Sequence, residues 1–458
     1  MNTLIKDITI INEGTIFEGS ILIENEIIGG IISCDFADYH RILSQWELIC
    51  EKKIDGKGAF LMPGVIDDQV HFREPGATHK GDIESESKAA VLGGTTSYMD
   101  MPNNTPPVVT CQALEEKFEI AARSSFANYS FYLGATNDNI GEIRNANPGT
   151  ICGIKLFMGS STGNMLVNSE KALDDIFGNG KHLVAIHCEK ENIIRENLEK
   201  AKQEYGVKED GTSAIPFSAH PKIRSEQACI ECTEKAIALA HKHNTRAHIL
   251  HISTGKEIDM LVQAHSMTPN ITGEICAHYL YFDESDYAKY GSGIKCNPAI
   301  KSKKDKEAII EAVKESKVAA LATDHAPHSQ NEKNADYLSA PSGIPTIQHS
   351  LQMMLQIHSQ GILSLEQIVK MMCHSPAECF RINRRGFIRS GYYADLVIFR
   401  KQKYTVTKDN IAYKCGWSPF EGETFDYTIT DTFINGCHTV EKGKITLLKN
   451  AKRLEFDN

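Results

Sequence analysis

Five side chains that bind metal ions in many proteins lie in or directly after short apolar runs of this chain: His71, Lys155, His187, His251 and Asp324. A structural zinc module groups its ligands in neighbouring Cys and His pairs, whereas these residues are spread from residue 71 to residue 324. Tertiary folding must therefore bring them together. Metal ligands at the C-terminal ends of several alternating strands are typical of a catalytic site in a TIM barrel.

The middle of the chain, from Met62 to about residue 330, alternates strand-like with helix-like stretches. The predicted strands are 64–71, 95–101, 129–133, 151–157, 182–187, 247–251, 271–276 and 318–323. The predicted helices are 83–92, 112–123, 170–176, 190–204, 225–243, 256–263 and 305–316, and a helical stretch at 361–384 completes the set. Eight strand–helix units predict an α/β fold with a closed (β/α)8 barrel. A doubly wound open sheet is the alternative, but its site residues would gather at one switch point.

Both chain ends are strand-like and interrupted by turn signals such as Asn435-Gly436, a dipeptide that favours a tight hairpin. We therefore expect the two ends to pair into one composite β-sandwich domain. The predicted bounds are 1–61 and 385–458 for the β-sandwich and 62–384 for the barrel. Segment 35–53 resembles an insertion in the β domain, and no function is assigned to it.

The composition excludes several function classes. The formal net charge of -10 disfavours a nucleic-acid partner, because phosphate binding needs a basic surface. Every apolar run is shorter than a membrane span, and the N-terminus carries no long apolar signal region, so we expect a cytoplasmic protein without a membrane partner. The pair Cys229 and Cys232 falls in a helical stretch and is interpreted as reduced core residues rather than a metal or redox motif.

Alternation along the predicted strands assigns faces to the candidate ligands. Asp67, Gln69 and His71 should share the barrel interior, and Asp68 should point the other way. His248 and His251 are an odd number of residues apart and should face opposite sides, which favours His251 as the ligand. A carboxylate at the position of Asp324 can bind metal and accept a proton from water.

Lys155 lies between Ile154 and Leu156 on a predicted strand. A buried lysine is costly unless it is neutral, paired or modified. One interpretation is a lysine whose ammonium reaches solvent at the strand end. The other is an amine of lowered pKa that reacts with carbon dioxide, giving a carbamate that can bridge two metal ions. The residue alone does not separate them.

Taken together, the motifs resemble those of the dihydroorotase family in the amidohydrolase superfamily, from Pro63 to about residue 345. The segments that carry the resemblance are Pro63-Gly64, Asp67, His71-Phe72-Arg73-Glu74-Pro75-Gly76, Met101-Pro102-Asn103, Lys155, His187, His251-Ile252-Ser253, Asn297-Pro298 and Thr323-Asp324-His325-Ala326-Pro327-His328. The resemblance implies a TIM barrel with a composite β-sandwich and one or two Zn²⁺ ions per chain. It also implies ring closure of N-carbamoyl-L-aspartate to L-dihydroorotate in pyrimidine synthesis.

The resemblance further implies roles for individual residues. The metal ligands would be His71, a carbamylated Lys155, His187, His251 and Asp324, and Asp324 would also be the catalytic proton acceptor. Arg73, Asn103, Asn297 and His328 would bind the substrate. An arginine fork suits a substrate carboxylate, and asparagine amides suit a carboxylate or polar ring groups. A small-molecule substrate is thus expected, and a homo-oligomer is compatible with the family.

One position departs from the family pattern. The first-strand motif of the family is His-x-His, and here the first histidine is replaced by Gln69. Because an amide binds zinc less well than an imidazole, Gln69 is at most a weak ligand, and one of the two metal sites should be weakened.

Three readings of the function remain open on the sequence alone: a dihydroorotase, a hydantoinase- or allantoinase-like cyclic amidohydrolase, and a non-catalytic homologue that acts as a scaffold. Arg73, Asn103 and Asn297 favour the first, and Gln69 is the one support for the last. The polar segment 329–342, with Ser342-Gly343 as a hinge, is predicted to be a lid over the substrate.

Overall fold

The computed structural model describes residues 2–159 and 165–457. The N-terminal strands form one part of a mixed sheet. These strands are β1 (Asn2–Asn12), β2 (Thr15–Glu24), β3 (Ile27–Ser33), β4 (Lys52–Asp55) and β5 (Phe60–Pro63). β1 pairs antiparallel with β2 and parallel with β4 and β5. Segment 35–53 supplies helix α1 (Tyr39–Ile49), whose Trp46 packs against Leu4 and Leu22 of the sheet.

Eight parallel strands then form the barrel. They are β6 (Val65–Val70), β7 (Thr95–Asp100), β8 (Asn128–Gly134), β9 (Gly153–Met158), β10 (Val184–Cys188), β11 (Ala247–Ile249), β12 (Ile271–Cys276) and β13 (Ala320–Ala322). Each strand pairs with the next in chain order. The ring closes where Val70 bridges His325 in parallel and the backbone N–H of His71 donates to the carbonyl of His325 at 2.7 Å. The predicted barrel is therefore confirmed.

Helices lie between the barrel strands, as the sequence periodicity predicts, and further helices follow the last barrel strand. They are α2 (Ile83–Leu92), α3 (Cys111–Ser124), α4 (Ile140–Asn145), α5 (Glu170–Phe177), α6 (Glu191–Tyr205), α7 (His220–Ile223), α8 (Glu226–His243), α9 (Gly255–Met267), α10 (Ala277–Tyr281), α11 (Tyr287–Tyr290), α12 (Lys303–Lys314), α13 (Gln330–Lys333), α14 (Ser350–Ser359), α15 (Leu365–Val369) and α16 (Ser375–Phe380). A π-helical turn, Lys370–His374, joins the last two.

Most of the C-terminal strands complete the sheet that the N-terminus begins, and the two short strands at 404–405 and 424–425 pair with each other in a separate two-stranded sheet. The C-terminal strands are β14 (Leu396–Arg400), β15 (Tyr404–Thr405), β16 (Thr424–Phe425), β17 (Thr428–Ile434), β18 (Cys437–Glu441) and β19 (Lys444–Ile445). β14 joins the two halves because it pairs with β5 on one side and β17 on the other. A sheet built from both chain ends thus stands beside the barrel, and the residue bounds given above for the two domains stay a prediction.

The strand register explains which side chains enter the barrel. Lys155, Ala185, His248 and Thr272 lie side by side across β9 to β12. The adjacent row, Ile154, Val184, Ala247 and Ile271, belongs to the large hydrophobic cluster under the helices. Since successive side chains alternate, the row of Lys155 faces the barrel interior and the aliphatic row faces the helices.

Two face assignments made from alternation are wrong. The register of β6 against β7 shifts between Asp67 and Val70, and such a bulge interrupts strict alternation. Asp68 consequently points inward and meets His248, which belongs to the non-adjacent strand β11, with 3.2 Å between Oδ2 and Nε2. His248 and His251 do not face opposite sides either, because β11 ends at Ile249 and His251 lies beyond it.

All thirteen cysteines are free, and Cys229 and Cys232 are buried on α8 as core residues. Among the described residues, none of the helices combines the length and the apolar character that crossing a membrane requires.

Candidate active site

One cavity of about 240 Å³ opens at the C-terminal ends of the barrel strands. Every site residue proposed from the sequence lines it: Gln69, His71, Arg73, Asn103, Lys155, His187, His251, Asn297, Asp324 and His328. The wall also contains Phe157, Arg224, Ala326, Pro341, Ser342 and Gly343. Sequence reasoning missed Arg224, which follows the short helix α7 and belongs to none of the quoted motifs.

His71 and Asp324 form one close pair of donor atoms, with 3.0 Å between Nε2 and Oδ1. The other ring nitrogen of His71, Nδ1, lies 2.8 Å from the amide oxygen Oδ1 of Asn103. An amide oxygen only accepts hydrogen bonds, so Nδ1 of His71 carries the proton in a neutral ring. Nε2 then faces the carboxylate of Asp324, and the two atoms can share either a proton, as a hydrogen bond, or a metal cation that takes the place of that proton.

His187 and His251 form a second close pair, with Nδ1 of His187 2.9 Å from Nε2 of His251. Nε2 of His187 lies 3.2 Å from the carboxylate of Glu189, which is also bound by Arg224. A carboxylate on the outer nitrogen is the usual partner of a metal-binding histidine. Nδ1 of His251 is buried and has no hydrogen-bond partner in the described part of the chain. The donor set fits a metal ion at both pairs.

Three residues of the cavity adopt left-handed backbone conformations that non-glycine residues seldom adopt. They are Arg73 at φ 69°, His251 at φ 41° and Asp324 at φ 46°. Such conformations cost on the order of 1–3 kcal/mol each and cluster at functional sites. The backbone of His251 is stabilised by Glu274, whose Oε1 accepts the N–H of His251 at 3.1 Å.

Lys155 is buried inside the barrel, and its Nζ lies 4.7 Å from the centroid of the Phe157 ring. Burial lowers the pKa of Lys155 to about 8, because the low-dielectric interior disfavours the ammonium form. A fraction of the amine is therefore neutral near pH 7, and the side chain does not reach solvent in the manner of a snorkelling lysine.

The side chain of Gln69 forms a hydrogen bond with Asp324. Its Nε2 donates to Oδ1 of Asp324 at 3.1 Å, and its Oε1 is buried without a hydrogen-bond partner among the described residues. Burial by itself raises the pKa of Asp324, but the hydrogen bond and charge of His71 outweigh it and lower that pKa to about 2. Asp324 is ionised at neutral pH and can bind a cation.

Arg73 lies in the cavity wall and binds neutral groups of the protein. Its Nε donates to the carbonyl of Pro327 at 3.0 Å, and its Nη2 lies 3.0 Å from Nε2 of His328. In the residues that the structure describes, no Asp or Glu forms an ion pair with it. Asn297, also in the wall, has a buried Oδ1 without a partner in the same part of the chain. This end of the cavity therefore offers a cation and an amide to a ligand.

The segment predicted to be a lid forms part of the wall. It contains α13, and the buried Lys333 at the end of that helix donates to the carbonyls of Pro341 at 3.0 Å and Gly343 at 2.9 Å. Lys295 donates to the carbonyls of Tyr337 at 2.7 Å and Ala340 at 2.6 Å. Two lysines thus clamp the segment against the barrel, and its movement over a substrate stays a prediction.

Asp68, His248 and Glu274 form a candidate metal-binding triad inside the barrel, with donor atoms within 4.8 Å of one another. None of the three lines the cavity. The sequence reasoning missed this group because it assigned Asp68 and His248 to the wrong face.

Comparison with known proteins identifies the class. Residues 60–439 match the Amidohydrolase family. A dihydroorotase from Methanosarcina acetivorans is 31% identical over 382 residues, which cover 81% of this chain and 79% of the relative. An allantoinase from Bacillus velezensis is 30% identical over 393 residues, which cover 84% of this chain and 85% of that protein.

A related enzyme of known structure has a very similar fold. The structure of an L-hydantoinase (dihydropyrimidinase) from Arthrobacter aurescens superimposes with a TM-score of 0.91 and 25% identity, and 99% of each chain is covered. The chain belongs to the amidohydrolase family. It is an enzyme, a hydrolase that acts on cyclic amides, and its likeness to dihydroorotases holds over most of its length.

Proposed function

We propose that this amidohydrolase is a dihydroorotase, which interconverts N-carbamoyl-L-aspartate and L-dihydroorotate in pyrimidine synthesis. The observation that supports this substrate most strongly is Arg73, a guanidinium in the cavity wall whose hydrogen-bond contacts among the described residues are to neutral groups, the carbonyl of Pro327 and the ring of His328. A charged group in a low-dielectric site favours a ligand of opposite charge. Dihydroorotate carries a carboxylate on its ring, whereas allantoin and hydantoin do not.

Asn103 and Asn297 complete the proposed substrate set. Asn103 is engaged through its oxygen with His71, so its NH2 group remains available to a substrate oxygen. The buried Oδ1 of Asn297 has no partner within the described residues and would accept an N–H of the substrate ring. His328 holds Arg73 at the carboxylate end.

Zinc is the proposed cofactor, with one or two ions per chain. His187 and His251 would hold one ion together with a carbamate on Lys155, and His71 and Asp324 would hold the other, with Gln69 as a weak neighbour. The neutral fraction of Lys155 is the form that reacts with carbon dioxide. When bound, zinc polarises a carbonyl and lowers the pKa of water.

Asp324 is the proposed proton carrier. In the hydrolytic direction a water molecule attacks the ring carbonyl, Asp324 accepts a proton from that water, and the ring C–N bond breaks. Asp324 then returns the proton to the leaving nitrogen, which gives the open carbamoyl-aspartate. Ring closure follows the same steps in reverse. The hydrogen bond from Gln69 Nε2 to Oδ1 keeps the carboxylate oriented in the cavity.

A hydantoinase- or allantoinase-like activity is the second candidate, because an allantoinase is as similar in sequence as the dihydroorotases and an L-hydantoinase is very similar in fold. A non-catalytic scaffold is less well supported. Its one argument is Gln69, while the rest of the donor set remains in the cavity.

An assay in both directions tests the proposal. Purified, zinc-loaded protein should convert dihydroorotate and carbamoyl-aspartate well above a metal-free control, and it should act poorly on allantoin and hydantoin. Preference for allantoin or hydantoin would support the second candidate. Bound metal without turnover of any of these compounds would support a scaffold.

A further inference from the structure

A second group of metal-binding side chains lies deeper in the barrel than the cavity. Asp68, His248 and Glu274 lie within β6, β11 and β12, and all three are fully buried. Nε2 of His248 lies 3.2 Å from Oδ2 of Asp68 and 3.4 Å from Oε2 of Glu274. Three donor atoms therefore converge on one point in the interior.

The hydrogen bonds of His248 determine which nitrogen faces the carboxylates as an acceptor. Nδ1 lies 2.8 Å from Oγ1 of Thr272, and the Thr272 hydroxyl itself donates to the carbonyl of Ala247 at 3.4 Å. The hydroxyl proton is thus directed away from His248, so Nδ1–H donates to Oγ1. Nε2 then faces the two carboxylates and can give its lone pair to a metal ion in place of a proton, and a hydrogen-bonded outer nitrogen is the usual arrangement in metal-binding histidines.

Both carboxylate oxygens of Asp68 are buried without a hydrogen-bond partner in the described residues. The distances from Nε2 of His248 to Asp68 (3.2 Å) and to Glu274 (3.4 Å) are longer than charge-assisted hydrogen bonds, which measure about 2.7–2.9 Å. They match the separation of two ligands around a tetrahedral ion, about 3.3–3.6 Å for metal–ligand bonds of about 2.0–2.2 Å. Buried charges need pairing or a metal ion, and one imidazole cannot satisfy two carboxylates.

We propose that Asp68, His248 and Glu274 hold a divalent metal ion, with Zn²⁺ the best match, in a closed structural site separate from the cavity. Nε2 of His248, Oε2 of Glu274 and one carboxylate oxygen of Asp68 supply three donor atoms. Closed, solvent-free coordination is typical of structural rather than catalytic zinc. The other oxygen of Glu274 accepts the backbone N–H of His251, so the ion also fixes the strained end of β11. This site does not depend on the proposed substrate.

Anomalous diffraction at the zinc absorption edge tests the site on the intact protein, purified without chelators. The expected result is a peak bonded to Asp68, His248 and Glu274, distinct from any peak in the cavity. Absence of a peak there, in crystals that show zinc in the cavity, would overturn the proposal and leave a proton shared among the three side chains.

Metal content of variants gives a second readout. His248→Gln should bind one ion per chain fewer than the wild type. His182→Gln is a matched control, because His182 is also buried but bonds Asn179 and the carbonyl of Ala146 instead of carboxylates, and its metal content should be unchanged. His187→Asn should lose a cavity ion and keep the deep one. Unchanged metal content in a folded His248→Gln protein would contradict the proposal, and if this variant does not fold, the diffraction result decides.

Discussion

The cavity and the deep triad use the same side-chain types in different backbone settings. His71, His251 and Asp324 follow the ends of β6, β11 and β13, where regular strand pairing has stopped. Asp68 and His248 lie within β6 and β11, one step or more further into the barrel. His251 and Asp324 line the open cavity and adopt left-handed conformations, whereas Asp68 and His248 are fully buried and do not line the cavity. The same barrel thus separates a reactive layer from a closed layer below it.

Replacing Asp324 tests the reactive layer and should have the largest effect. Asp324→Asn should lower kcat by at least roughly a hundredfold, as loss of a general base usually does. Steady-state assays with dihydroorotate measure this. Because Asp324 is also a proposed ligand, zinc content must be measured beside the rates. Near-normal turnover by the variant would reject the proton-carrier role.

Replacing Asp68 tests the closed layer, where the effect should fall on stability. Asp68→Asn should lower the free energy of unfolding by about 3–5 kcal/mol, as expected when one partner of a buried charged group is removed. Its kcat should fall far less than that of Asp324→Asn. Denaturant unfolding and steady-state rates provide both numbers. The distinction between the layers fails if Asp68→Asn loses activity as strongly as Asp324→Asn and keeps its stability.

Metal titration sharpens the comparison inside the cavity. Wild-type protein should fill the site of His187 and His251 first and the site of His71 and Asp324 only with excess zinc, because Gln69 is a weak donor. Gln69→His should tighten the weaker site, and Gln69→Ala, which adds no donor, should not. Equal and tight binding of both cavity ions by the wild type would show that Gln69 is no handicap.

The smallest effect concerns the wall segment. Lys333→Met removes the donor to the carbonyls of Pro341 and Gly343, so we expect KM to rise a few-fold with little change in kcat. Lys314→Met is a suitable control, since the Lys314 side chain lies on the surface and pairs with Glu311. An unchanged KM for Lys333→Met would mean that the clamp does not shape the cavity.

The sequence predicted most of the fold and the cavity, for identifiable reasons. Apolar strands and amphipathic helices alternate regularly, so the barrel order followed directly, and residues such as His71 and His251 lie at strand ends where their position determines their neighbours. The inward turn of Asp68 could not be predicted, because it depends on a bulge in β6 that no local signal marks. Arg224 was missed because its place in the cavity depends on long-range packing with Glu189.

The central claim is that Arg73 selects a substrate with a carboxylate, and one matched pair of substrates tests it. Dihydrouracil is dihydroorotate without the carboxylate, so the ratio of kcat/KM for the two isolates that group. The wild type should favour dihydroorotate, and Arg73→Gln should lose roughly 10- to 100-fold of this preference, since a charge-assisted hydrogen bond contributes about 1.5–3 kcal/mol. Equal kcat/KM for both substrates in the wild type, or a preference unchanged in Arg73→Gln, would contradict the account.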